Sequence, residues 1–586
     1  MKRAFIYTLV LAALTSCGGG KEGDSDEPKR ELREAKGKFE YRGKKEKINY
    51  GGIFRMNEVD EFKTLHPHAI IDAVSFRVSG PVYQGLLRLN QASLEVEPCI
   101  AESFEVSEDA TKYTFKIRKG IKFHDDDCFP EGKGREVTAH DVKYCFDLLC
   151  TSYPDNKLFK LFKNRIKGAT EHYSASEKGS APKEGVSGIK ATDDYTLEVE
   201  MEIPFAIFDK VLTHSACWIF PKEAVEKYKD EFRVNPVGTG PFQKKRIKEG
   251  QQVLYERNAN YWERDEHGNQ LPYMDMVKFN FTKEKKTELM EFKKGNLDMV
   301  FKLPIEETGA VLASLEEAQQ GANKEYQFQL RKALSNQFYV FSHTSDIFRN
   351  INVRKAFNYA IDRKILVTYT MQGEGSPSEH GLIPGFGKYD ETKITGYNFD
   401  PELARKHLTQ AGYGSGKSFP QISLYINEGG ATHVILASAV QKMLEDNLGI
   451  KIKIETLQMP VLTERMMTGK LDFHRAGWTA DYPDPENFFA VFYGKSVPAD
   501  VETPSFPNFS RFKNDNYDKY FELALSEKDE NQRYEYFYKC DSILIAEAAY
   551  MPIYNEEYIR LLQLNVRNFP QNSMEYRDLS RVFFAR

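Results

Sequence analysis

A cation, an indole and a carboxylate stand close together in Arg475-Ala-Gly-Trp478-Thr-Ala-Asp481, and the run continues as Tyr482-Pro-Asp-Pro-Glu-Asn-Phe-Phe489. Side chains alternate faces along a strand, so Arg475, Gly477, Thr479 and Asp481 are expected on one face. The backbone from Gly477 to Thr479 would then offer hydrogen-bonding groups to an added strand. A planar guanidinium suits a carboxylate, and a carboxylate suits an ammonium group. The chemistry this points to is a non-covalent grip on a short peptide by its main chain and termini. Covalent chemistry has less support: the chain contains neither HExxH nor GxSxG. A secreted peptidase would rest on scattered Ser, His and Asp residues, which any large chain contains.

The elements that must position these groups form a mixed α/β pattern. Tyr113, Phe115 and Ile117 alternate with polar residues as in a half-buried strand, and Tyr195 to Met201 repeats the period. Val277 to Phe281 and Lys451 to Glu455 also read as strands, and Val434 to Leu448 has the spacing of an amphipathic helix. Gly295-Asn-Leu-Asp298 and Gly469-Lys-Leu-Asp472 repeat one small design, a glycine helix stop followed by the start of a strand.

The clamp run resembles the signature of oligopeptide-binding proteins, the receptor subunits of bacterial ABC importers (extracellular solute-binding family 5). The resemblance spans almost the whole mature chain. It returns in Thr64-Leu-His-Pro67, Gln84-Gly-Leu-Leu87, Val137-Thr-Ala-His-Asp-Val142 and Asp193-Asp-Tyr-Thr-Leu-Glu-Val199. It continues in Asn235-Pro-Val-Gly-Thr-Gly-Pro-Phe242, Arg257-Asn-Ala-Asn-Tyr-Trp262, Val353-Arg-Lys-Ala-Phe-Asn-Tyr-Ala-Ile-Asp-Arg363 and Ala404-Arg-Lys-His-Leu-Thr-Gln-Ala-Gly-Tyr413. The resemblance implies a periplasmic-binding-protein-like α/β fold of type II, in the large three-lobed class. Two main lobes would close on ligand, with an extra strand-rich lobe beside them. Residues 48–83, 226–331 and 548–586 would form lobe I, 84–225 lobe II and 332–547 lobe III, with crossing strands as the hinge.

By position, the resemblance implies that Asp481 pairs with the peptide amine and that Trp478 stands where the family tryptophan does. It implies that Arg475 meets the carboxylate of short peptides. His433 falls where the family has a histidine for the carboxylate of longer ones, although a solvated histidine at a helix start is an equal reading. Ile71, Asp72 and Ala73 would form a second strand flanking the peptide. Where some relatives carry a carboxylate-binding lysine, this chain has Met371. The implied partners are an oligopeptide and an ABC permease with separate ATPase subunits, the receptor acting as a monomer without cofactor or metal. A same-family receptor for a metal chelate, sugar or opine is the alternative, and Asp481 argues against it.

At the N-terminus Lys2 and Arg3 precede the apolar stretch Ala4 to Leu14 and then Leu14-Thr-Ser-Cys17-Gly18. This reads as a lipoprotein signal peptide over residues 1–17, too short to span a membrane, with Cys17 as the lipid attachment site. The product would be exported and lipid-anchored in the periplasmic space or cell envelope. Residues 18–47, rich in Gly, Lys and Glu, are expected to form a flexible tether.

The chain has 586 residues, 41% hydrophobic and 28% charged, with a net charge of -5. That is an ordinary globular composition which gives no reason to expect nucleic-acid binding. Six cysteines follow Cys17 without a CxxC pair, so buried free thiols are at least as well supported as bridges. Ala411-Gly-Tyr-Gly-Ser-Gly-Lys-Ser418 fits a relaxed phosphate-loop pattern, but a helix is expected before it and a strand after it, the reverse of what phosphate binding requires. His66-Pro-His68 reads as a turn rather than a metal site.

Overall fold

The computed structural model describes residues 31–313, 325–414, 418–428 and 431–586. Cys17, the first part of the expected tether and residues 415–417 of the phosphate-loop-like run lie outside the described residues.

Three larger sheets carry the architecture among the described residues. The first has the order Phe242–Lys248, Gln252–Arg257, Met276–Phe281, Ile53–Glu58, with a parallel pair at its end. The second is antiparallel throughout: Ala101–Val106, Lys112–Ile117, Thr196–Glu200, Ile189–Asp193. Tyr113, Phe115 and Ile117 are buried, following the alternation in the sequence. The third has the order Met299–Phe301, Tyr550–Gln563, Tyr326–Phe341, Phe473–Thr479, Ile422–Asn427, Ile452–Leu457, and Ser376–Pro377 adds to Tyr550–Gln563.

Tyr326–Phe341 and Tyr550–Gln563 are far longer than their neighbours, at 16 and 14 residues. Their register slips between Lys332 and Asn336 and again between Gln337 and Phe338. Such irregularities bend a strand and strengthen its twist. At one end the third sheet joins the first through Asp298, whose Oδ2 accepts the Arg55 amide at 2.9 Å. At the other end helix Ala431–Leu448 links the parallel strands Ile422–Asn427 and Ile452–Leu457, and helix Met459–Met467 leads back to Phe473–Thr479. In parallel α/β units, ligands bind at the carboxyl ends of the strands. Arg475 to Thr479 and Asn427 lie at those ends.

Gly295 and Gly469 both take positive φ, +77° and +64°, directly after the helices Lys285–Lys293 and Met459–Met467. The repeated sequence design is thus one repeated turn, a left-handed glycine that stops a helix and releases a strand. The buried arginines of the Val353–Arg363 motif are scaffold: Arg354 donates to the carbonyls of Phe348, Glu547 and Ala548, and Arg363 to that of Pro552.

The described part of the expected tether, residues 18–47, is folded from Arg33 onward. Arg33–Tyr41 and Lys44–Tyr50 form an antiparallel hairpin closed by Arg42 and Gly43, both with positive φ as a two-residue hairpin turn requires. Its few apolar groups suffice because they are borrowed into a larger cluster: Ala35, Phe39, Ile48 and Tyr50 pack with Tyr261, Leu271, Tyr273 and Phe583. Composition judged the segment alone, whereas its stability comes from the body.

The six cysteines after Cys17 are free thiols, all buried except the half-buried Cys128. His66 caps a 3-10 turn that contains His68, and the two share the Tyr153 hydroxyl at 3.1 and 2.9 Å. Helix Pro401–Leu408 precedes the phosphate-loop-like run and strand Ile422–Asn427 follows it, the order that argues against nucleotide binding.

Candidate ligand-binding site

Strand Phe473–Thr479 has two unequal edges. One pairs with Tyr326–Phe341 along its whole length, from Phe341 opposite Phe473 to Ser335 opposite Thr479. The other touches Ile422–Asn427 only where Tyr425 meets His474. Ala480 N–H donates to Leu334 C=O at 2.9 Å, so even-numbered residues turn their main chain toward the long strand. Antiparallel alternation then leaves the N–H and C=O of Gly477 and Thr479 on the open edge.

Arg475, Gly477 and Thr479 share one face, with Tyr339, Gln337 and Ser335 opposite them. Arg475 is half-buried and donates to Asn427 Oδ1 at 2.8 Å and Gln337 Oε1 at 2.5 Å. It has no ion pair among the described residues, so its charge is oriented by neutral amides rather than cancelled. A side chain at position 477 would collide with the Gln337 amide, since an added Cβ would lie 2.6 Å from Gln337 Oε1. Glycine therefore keeps the partner of Arg475 in place.

His433 and Arg475 line one small pocket together with Tyr339 and Tyr554. Burial, and then the Arg475 charge, push the His433 pKa down to about 4, so its imidazole is neutral near pH 7. Met371 is buried in the core behind this region.

Trp478 points to the opposite face and donates its indole N–H to Asn487 Oδ1 at 2.8 Å. The same oxygen accepts the Asp481 backbone N–H at 3.0 Å. Asp481 does not continue the strand face as expected: the strand ends at Thr479, and Asn487 folds the chain into a bend there. Asp481 is exposed and has no ion pair among the described residues. Its charge acts on His214 and Lys160. Burial lowers the pKa of both, His214 to about 4, while Asp481 opposes the fall.

Two carboxylates just beyond Asp481 tie this bend to the segment that includes Lys160 and His214. Asp484 meets Lys210 at 2.9 Å and Glu486 meets Arg165 at 2.9 Å.

Ile71, Asp72 and Ala73 do not form a second strand. Asp72 caps helix Ala73–Ser79, accepting from Ser75 N–H at 2.9 Å and Ser75 Oγ–H at 2.8 Å, and Ala73 is already helical. Asp followed three residues later by Ser satisfies the first turn of a helix more completely than an extended edge would. Ile71, 66% exposed, stays outside any sheet.

The residues that hold the site but escaped sequence reading are Gln337, Asn427 and Asn487. Asn487 sits within the quoted run, but nothing local marks its double acceptor role. Replacing Asn487 with Leu removes the acceptor of two N–H groups, each worth about 0.5–1.5 kcal/mol. The expected result is ligand binding weakened by about tenfold with Arg475 undisturbed, checked by calorimetry alongside Trp fluorescence.

A family model described as bacterial extracellular solute-binding proteins, family 5 middle, matches residues 95–500. The chain belongs to that family. Over 563 residues the family 5 protein is 29% identical to the oligopeptide-binding protein OppA of Bacillus subtilis, covering 94% of this chain and 92% of the relative. It is 26% identical to heme-binding protein A of Haemophilus influenzae, covering 87% and 88%. Among solved structures it is similar to the periplasmic binding protein DppA of Helicobacter pylori in complex with the peptide STSA, with a TM-score of 0.76, 22% identity and coverage of 92% and 99%. The fold is accordingly the α/β type II periplasmic-binding-protein fold, with two main lobes and an additional strand-rich one.

Proposed function

We propose that this family 5 protein is the substrate-binding component of an ABC importer that captures oligopeptides and delivers them to a membrane permease powered by separate ATPase subunits. One observation carries the reading. The open edge of Phe473–Thr479 presents Gly477 and Thr479 main chain between the unpaired Asp481 carboxylate and the Arg475–His433 cavity. A peptide added there would pair by backbone, which gives affinity without reading sequence, and its ends would meet charges of opposite sign. The names of the Bacillus and Helicobacter relatives agree with this ligand class.

In this reading residues 48–83, 226–331 and 548–586 move as one lobe against 332–547. The two long strands flex at their register slips, and 84–225 forms the extra lobe. The receptor performs no covalent step, works as a monomer and is held at its membrane by lipid on Cys17. The test is mass spectrometry and absorbance of whatever co-purifies with the native protein, followed by calorimetry with short peptides. Intact peptides are expected. A porphyrin or metal chelate would transfer the reading to a non-peptide solute, and cleaved fragments from a peptide library would transfer it to a peptidase.

A further inference from the structure

The hairpin Arg33–Tyr50 that takes up part of the expected tether is strongly basic around its tip. Between Lys36 and Lys45 it carries five cations, Lys36, Lys38, Arg42, Lys44 and Lys45, against the single carboxylate Glu40. All five cations are exposed.

The charges around them are already partnered. Glu46 holds Arg567 at 2.5 Å, and that guanidinium lies over the Tyr41 ring at 3.9 Å. Lys47 pairs with Glu34 at 2.7 Å and Arg33 with Asp275 at 3.1 Å. None of the five has an ion pair among the described residues. The register places Lys38 opposite Lys47 and Glu40 opposite Lys45, so these four share the outward face, while Phe39 lies on the inward one and packs against the body. The hairpin thus carries Lys38 and Lys45 on its outer face and Arg42 and Lys44 at its tip, none with an ion pair among the described residues.

We propose that this platform docks on an anionic phospholipid surface. The inference rests on the proposed lipid at Cys17. About twenty residues separate that cysteine from Lys36, a span of at most roughly 70 Å. Among the described residues the hairpin is therefore the part nearest the proposed anchor along the chain. Basic residues close to an anionic bilayer are each attracted within about a Debye length, and the attraction falls with salt. Docking would fix which end of the body faces the membrane, and so the direction in which the cleft approaches a permease.

The test uses the chain from residue 18 produced without lipid, so that anchoring and docking are separated. It is sedimented with vesicles of phosphatidylcholine alone or with about one-third phosphatidylglycerol. Binding is expected only to the anionic vesicles and is lost at about 0.5 M salt. Lys36→Gln, Lys38→Gln, Lys44→Gln and Lys45→Gln combined should lower partitioning at least about tenfold while leaving peptide affinity unchanged.

A control with Lys442, Lys451, Lys453 and Lys470 changed to Gln has the same net charge but should bind vesicles as the parent does. No binding to anionic vesicles, equal binding to neutral ones, or equal loss in the control would each overturn the inference. An unlipidated N-terminus in the native protein, read by mass, would instead refute the anchor.

Discussion

Asp481→Ala is expected to weaken peptide binding by roughly thirty-fold or more, the lower end of what truncating one partner of a hydrogen-bonded charge pair costs at about 2–5 kcal/mol. The lower end is the better expectation because Asp481 is exposed in this structure, and its strength depends on how far closure of the cleft removes water from it. The fold should be unaffected, since Asp481 has no ion pair among the described residues and only its backbone N–H is held, by Asn487.

A cycle makes the assignment specific. N-acetylating the peptide should cost the parent protein about as much as the substitution does, and should cost the Asp481→Ala variant almost nothing further. If the parent binds the acetylated peptide undiminished, the carboxylate does not read the amine.

Arg533→Met is expected to destabilise the protein by about 3–5 kcal/mol, the usual result of stripping a partner from a buried ion pair. Asp484 is fully buried, with a side-chain exposure of 0%, and Arg533 grips it through two nitrogens at 2.8 and 2.5 Å while Lys210 adds a third contact. Burial alone would raise the Asp484 pKa, but the Arg533 and Lys210 charges outweigh it and hold the carboxyl well below its ordinary value.

A carboxyl depressed in the folded state stabilises above its unfolded pKa of about 3.9, and that stabilisation is lost as pH falls toward the folded value. The difference between parent and variant should therefore be largest near neutrality and shrink in acid. Urea unfolding at about pH 7 and about pH 2.5, below the unfolded carboxyl pKa, reads both quantities. A constant difference across that range would mean that Arg533 acts by packing on Phe537, whose ring it covers at 4.9 Å, rather than by charge.

Tyr113, Phe115 and Ile117 show how far local pattern reaches: an alternation in the sequence became a buried strand face, because a strand with one side against a core can satisfy only one register. The same holds for the glycine stops at 295 and 469, where the backbone conformation itself demands the residue. Arg475 and His433 were also named from the sequence, through the resemblance, and they do line one cavity.

Three readings needed the tertiary structure. The hairpin at Arg33–Tyr50 gains its stability from Tyr261, Tyr273 and Phe583, partners more than 200 residues away that no window of composition can include. Asp72 was expected in a strand, yet the contact with Ser75 made a helix cap, since a nearby pair of donors satisfies a carboxylate before any distant edge can compete. The surroundings of Arg475 depend on Gln337 and Asn427, brought in by two other strands.

What the sequence by itself determined is the family and the α/β periods, and it named the charged groups proposed to grip a peptide, because these depend on residue type and near-neighbour spacing. Only the tertiary structure decided which edge of Phe473–Thr479 stays open, which charges are already paired and that Arg33–Tyr50 folds as a hairpin. Those outcomes are set by long-range packing and pairing, whose partners are adjacent in space and remote along the chain.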